Sequence, residues 1–125
     1  MDLSGRSDMM GLHIFGGLSY MTVLRVCYKS GVRFDRDYYV AKHLPLASAV
    51  MGPHGVANVE VATFGPNPDG SAPPYQVMFS AYFSSAAGLQ AAMSSPRIGE
   101  VLGDIANYYD GMPDLMIGEV APSVS

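Results

Sequence analysis

Phe34-Asp35-Arg36-Asp37-Tyr38-Tyr39-Val40-Ala41-Lys42-His43-Leu44-Pro45-Leu46 is the densest run of chemically versatile side chains in the sequence, and its reading decides the fold. It reads as a helix with a defined start. Asp35 is a good N-cap, because its carboxylate can accept from backbone N–H groups of the first turn. With Asp35 as cap, Phe34 and Tyr39 take the two positions of a hydrophobic staple. Asp37 suits the positive end of the helix dipole. Tyr39 and His43 are four apart and share a face. Pro45 removes a backbone donor and disfavours helical geometry at Leu44. The helix is therefore expected to bend or stop at His43, with the helical region running from Asp35 to about Met51.

Strand signals flank this helix. Thr22–Tyr28 is rich in β-branched and aromatic residues and reads as a strand. Val56–Phe64 is a second, with Ala57, Val59, Val61 and Thr63 facing one way and Asn58, Glu60 and Phe64 the other. The breaker-rich run Gly65–Pro74 is a loop. Tyr75–Phe83 is a third strand. Ser84 or Ser85 caps a helix to about Met93, with Ala86, Leu89 and Met93 inward. Pro96 is placed to open a further helix as its first residue, in which Ile98, Val101, Leu102 and Ile105 follow helical spacing. That helix ends near Tyr108-Tyr109-Asp110-Gly111, and Leu115–Val120 is the last strand. The order β-α-β-β-α-β, with its second crossover split into two short helices, is a ferredoxin-like α+β arrangement with a four-stranded antiparallel sheet. Helices cover one face of such a sheet. Its strands are largely apolar on both faces, so two sheets meeting in a homodimer are expected.

The totals fit one domain. The chain has 125 residues, enough to bury a core without staples. Apolar residues make up 49% and charged residues 14%, which again favours a partly buried surface in an oligomer. A net charge of −4 with no basic run argues against nucleic acid as a partner. No apolar run approaches a membrane span. The one cysteine, Cys27, has no intrachain partner and no metal spacing around it, which fits a cytoplasmic protein. Residues 1–20 read as an extension preceding the domain, with an extra ordered element as the alternative, and Asp2 and Asp8 spoil a signal peptide. Residues 21–121 form the expected domain, and 122–125 a tail.

Among candidate site residues His43 stands first. A histidine near a helix break, one turn after a tyrosine, is suited to acid/base work near neutral pH. A histidine capping a helix end would give the same letters. Tyr39 can orient a substrate or serve as core. Asp104, on the polar side of its helix, and Tyr108 can shape or polarise a pocket, with solvation or helix closure as the plainer readings. Tyr38 reads as packing or surface. Asp35 and Asp37 read as cap and dipole residues rather than metal ligands. His13 lies in the extension and His54 in a loop. Arg25 and Glu60 can pair across the sheet. Phosphate-loop, nucleophile-elbow and metal motifs are absent, so the expected chemistry uses side chains in an apolar cavity, with no metal or nucleotide cofactor.

Residues 21–120 resemble the EthD family, named for ethyl tert-butyl ether degradation. The resemblance rests on the Phe34-Asp35-x-x-Tyr38-Tyr39-x-x-x-His43-x-Pro45-Leu46 block, supported by Phe83-Ser84-Ser85, Ser95-Pro96, Asp104 with Tyr108-Tyr109-Asp110, and Ile117-Gly118-Glu119-Val120. It implies a dimeric α+β barrel of protomers joined through their sheets. It also implies a role in degrading or modifying a hydrophobic organic compound, near a cytochrome P450 system in the ether pathway. Similar folds include cofactor-free monooxygenases, muconolactone isomerases, and fungal proteins assigned to dehydration or decarboxylation. His43 is the catalytic residue the resemblance carries over, with Tyr39 as its pocket neighbour. The expected function is cofactor-free acid/base chemistry on a hydrophobic ligand. The alternative is a non-catalytic accessory or ligand-binding protein of an oxygenase system.

Overall fold

The computed structural model describes residues 14–15 and 18–121, with side chains from Tyr20 onward. Of the expected extension, β1 (Ile14–Phe15) and β2 (Leu18–Ser19) pair as short antiparallel strands. His13 lies outside the described residues, as does the tail over 122–125. The main sheet has four antiparallel strands, β3 (Met21–Lys29), β4 (Val56–Thr63), β5 (Tyr75–Phe83) and β6 (Asp114–Val120), in the order β4-β5-β3-β6. The first and last strands of the motif thus pair at one side, and the middle two at the other. Period-2 alternation splits the sheet cleanly. Leu24, Val26, Phe79 and Leu115 turn to the helices, where Leu24 and Phe79 join the core. Val23, Arg25, Cys27, Met78, Ser80 and Tyr82 turn the other way.

The first helical region begins as its sequence dictates. Asp35 caps α1 (Arg36–Tyr38), accepting at Oδ1 from the Tyr38 N–H at 3.1 Å. The Phe34 and Tyr39 rings meet edge to face at 4.9 Å, completing the staple. Of the two expectations for His43, a bend or a stop, the helix does not stop there. Tyr39–His43 is instead a π-helical segment, in which the Leu44 N–H bonds to the Tyr39 carbonyl, and α2 (Leu44–Met51) continues from it. In a regular helix the Pro45 ring would strike the carbonyl four residues back. A widened turn just before it relieves that clash, so the proline changes the helix's register rather than ending it.

A short 3-10 turn, Gly52–His54, ends at Gly55 in the left-handed conformation (φ 86°) and leads into β4. Ser85 caps α3 (Ala86–Met93), accepting from the Gly88 N–H at 3.1 Å. The buried stripe of α3 is Leu89 and Ala92 with Met93 beside them; Ala86, expected inward, is exposed. Gly88 packs against the 52–54 turn, and a Cβ there would run into the His54 carbonyl oxygen. Pro96 precedes α4 (Ile98–Asp104) without being its first residue, because Arg97 takes the cap position. A 3-10 turn, Ile105–Asn107, follows α4 and delivers Tyr108 and Tyr109 to the core.

The possible Arg25–Glu60 pair is not made directly. The two side chains share a row across the sheet, but Ser80 of β5 stands between them. Arg25 Nη1 donates to Ser80 Oγ at 2.8 Å and its guanidinium lies 5.9 Å from the Tyr82 ring centroid. The Tyr82 hydroxyl then donates to Glu60 at 2.8 Å.

Candidate active site

Two segments distant in sequence build the site, and backbone bonds clamp them together. The Asp35 N–H donates to the Tyr108 carbonyl at 2.8 Å, and the Asp110 N–H to the Arg33 carbonyl at 3.3 Å. An Arg33–Asp110 ion pair at 3.0 Å closes the same junction at the surface. Beneath it Tyr28, Phe34, Tyr39, Tyr108 and Tyr109 pack mostly edge to face, the favourable geometry for aromatic quadrupoles. This rigid aromatic block holds the start of the first helix against the end of α4.

At the junction Asp104 sits between three donors. Its Oδ2 lies 2.9 Å from His43 Nδ1. Its Oδ1 accepts from the Tyr38 hydroxyl at 2.6 Å and from Asn107 Nδ2 at 3.0 Å. Asn107 Nδ2 also reaches the Tyr38 oxygen at 3.2 Å. The π segment makes this convergence possible. Tyr38 and His43 are five apart, and on a regular α-helix they would diverge by about 140°. A turn closed by an i→i−5 bond brings them to nearly the same side. Tyr39 stays beside His43, with the two rings nearly parallel at 5.5 Å and 16°. The Tyr108 ring packs on the imidazole from another side at 4.6 Å.

The electrostatics follow from burial and these bonds. His43 is 5% exposed. Burial pushes its pKa below the ordinary value, outweighing the upward pull of the Asp104 carboxylate. Burial would push Asp104 up, but the bonds it accepts from Tyr38, Asn107 and His43 outweigh that and hold it below the usual carboxylate range. An ionised carboxylate can only accept, so Nδ1 carries the hydrogen of that bond, and in a neutral ring Nε2 is left without one. Burial keeps the phenols of Tyr28, Tyr39 and Tyr108 protonated throughout the working pH range.

His43 forms part of the wall of a cavity of about 80 Å³ between helices and sheet. Tyr28 and Tyr39 are its hydroxyl-bearing residues, and the remaining lining is apolar, including Leu24, Met51, Phe79 and Val101. Leu102, Met112 and Leu115, all substantially exposed, line it on the solvent side. No Lys, Arg, Asp or Glu lines it. Among the described residues no group of three or more His, Cys, Asp or Glu side chains is placed to hold a metal ion.

The structure brings together all four candidate site residues, in two layers. His43 and Tyr39 line the cavity; Asp104 and Tyr108 stand behind the imidazole, bonded to it and packed on it. Three participants escaped the sequence reading. Tyr38 and Asn107 hold Asp104, and Tyr28 lines the cavity from the sheet while sharing a 2.7 Å hydrogen bond with Tyr108. Tyr28 alternates with Leu24 and Val26 on the helix-facing side of β3, which was the available signal for it. Cys27 is fully buried on the opposite face, where burial pushes its thiol up. His54 is not among the residues that line the cavity.

Residues 32–112 match the family model of the EthD domain. The chain is similar to an EthD-like protein from Ralstonia eutropha JMP134, with 35% identity, covering 84% of this chain and 96% of that one, at a TM-score of 0.73. An ethyl tert-butyl ether degradation (EthD) family protein from Bacillus halodurans C-125 is 24% identical, over 81% of this chain and 99% of that one, at a TM-score of 0.66. SnoaB, a cofactor-independent oxygenase from Streptomyces nogalater, shares the fold at 9% identity, over 85% of this chain and 94% of that one, with a TM-score of 0.52. No curated protein matches the chain in sequence.

Proposed function

This chain belongs to the EthD domain family, and from that premise we propose that it carries out acid/base chemistry on a small hydrophobic organic compound held in the cavity. One observation carries the reading: a buried imidazole in a mostly apolar wall, with Nδ1 held by Asp104 and Nε2 without a partner among the described residues. In this reading Nε2 takes a proton from the bound molecule and His43 returns it later in the cycle. Asp104 fixes the tautomer and stabilises the imidazolium that forms, as an oriented carboxylate does in other acid/base sites. Tyr28 and Tyr39 supply hydrogens to oxygen atoms of the ligand. The biological role is the degradation or modification of such compounds in the cytoplasm.

The working unit is a homodimer joined through the sheet. Supporting this are the exposed Met116 and Ile117 of edge strand β6 and the half-buried Met78 on the sheet face turned away from the helices. No helix among the described residues is long and apolar enough to cross a membrane.

The test needs a proton donor that reports on any base in an apolar cavity. 5-Nitrobenzisoxazole serves: a base removes the hydrogen on carbon 3, the N–O bond breaks, and a coloured cyanophenolate forms. The protein is expected to accelerate this over buffer, and His43→Gln, which keeps a donor for Asp104 but no base of comparable strength, to remove about 100-fold or more of the rate. If the probe binds but reacts at the buffer rate, the chain is instead a non-catalytic ligand-binding accessory, such as an oxygenase system of the cytochrome P450 type would use.

A further inference from the structure

We infer that the cavity selects its ligand through a hydroxyl group: an uncharged, mainly hydrocarbon molecule whose alcohol, phenol or enol O–H is given to His43 Nε2. This deepens the reading of His43 as the base of the cavity and rests on it.

The hydrogen-bond inventory of the wall carries the inference. Because Asp104 takes the Nδ1 hydrogen at 2.9 Å, Nε2 of the neutral ring can only accept. With the residue 5% exposed, a bound molecule that offers no hydrogen leaves that acceptor desolvated and unpaired.

The phenols supply the complementary half. Tyr108 is fully buried, and its hydroxyl bonds the Tyr28 hydroxyl at 2.7 Å. That is its one hydrogen-bond partner among the described residues, so Tyr108 is satisfied as a donor only by giving its hydrogen to Tyr28. The hydrogens of Tyr28 and Tyr39, both part of the cavity wall, are then left for each other and for the ligand. The wall thus holds one acceptor together with phenolic donors. A hydroxyl oxygen can give a hydrogen to the first and take one from the second. An ether or ester oxygen can only take, and a hydrocarbon does neither. A carboxylate finds no cation in the lining and would pay its full desolvation cost.

Four one-ring probes of nearly equal size separate these classes: 4-methylphenol, its methyl ether 4-methylanisole, 4-methylbenzoate and para-xylene. Each is titrated into the full chain while the ¹⁵N signals of the His43 ring are followed, giving an affinity and a report from Nε2 together. The expected result is that 4-methylphenol binds about tenfold or more tightly than the ether and xylene, that the benzoate is weakest, and that only the phenol strongly shifts Nε2. Tyr39→Phe is expected to weaken the phenol severalfold and leave xylene unchanged, which also shows that the variant cavity is intact. Equal or tighter binding of the ether, or of the benzoate, with a clear response at His43 overturns hydroxyl selection while the site itself stands. If no probe perturbs His43, the reading of the cavity as the site falls, and this inference with it.

Discussion

Asp104 holds His43 from behind: its Oδ2 lies 2.9 Å from Nδ1, and Tyr38 and Asn107 hold its other oxygen in place. The bond favours the tautomer with its hydrogen on Nδ1, in a ring that lines the mostly apolar cavity. The bond joins the π segment of the first helix to the last residue of α4, elements 61 positions apart in the chain.

Asp104→Asn removes the charge that raises His43 while keeping the shape of the side chain. The His43 pKa is expected to fall further, and base-catalysed turnover of the isoxazole to drop at least about tenfold at neutral pH. The pH–rate midpoint should move to lower pH with it. A drop in rate with an unmoved midpoint would assign Asp104 a role in packing alone.

Tyr38→Phe deletes one of the hydrogen bonds that hold the Asp104 carboxyl low. Asp104 is expected to titrate closer to its ordinary range, whereas 4-methylphenol affinity is unchanged because Tyr38 is not part of the cavity wall. Side-chain carboxyl NMR across acid pH reads the first, and ligand titration the second.

Acid should destabilise the fold in two steps. His43 has a folded pKa below its ordinary value of 6.5, so the unfolded chain binds more protons there and stability falls as pH drops from 6.5 through the folded value. Asp104 is also depressed below its ordinary 3.8; its contribution is present above 3.8 and is lost as pH falls through its folded value. Urea unfolding from pH 8 to pH 4 should show the first step, and His43→Gln should flatten it. A wild-type curve level from pH 7 to pH 5 would contradict the depressed histidine.

Gly88→Ala places a methyl group against the His54 carbonyl oxygen, which is backbone and cannot swing aside. A loss of about 1–3 kcal/mol in unfolding free energy is expected, the usual cost of overpacking. Gly99→Ala, where the added carbon meets nothing within 4 Å, is the control and should be neutral or stabilising.

Much of this was legible in the sequence. The cap at Asp35, the Phe34–Tyr39 staple and the strand–helix order are local signals, and local signals transfer directly to structure. The π turn was not legible, because Pro45 announces a conflict without saying whether the helix will break or widen. On a regular helix Tyr38 falls on a different face from His43, so it reads as packing or surface. Asp104 was recognisable as a candidate but not its task, because its three donors come together only when the junction at Asp35 and Tyr108 closes. Tyr28 was hidden in a strand whose aromatic content already had a sufficient reason in β-propensity.

The most direct test of the account is the protonation state of His43 itself, read from the ¹⁵N shifts of its two ring nitrogens at pH 7 in the ligand-free protein. The account predicts a neutral ring with its hydrogen on Nδ1 and an unprotonated Nε2, titrating only below the ordinary histidine range. A ring carrying both hydrogens at pH 7, or one with its hydrogen on Nε2, would contradict it.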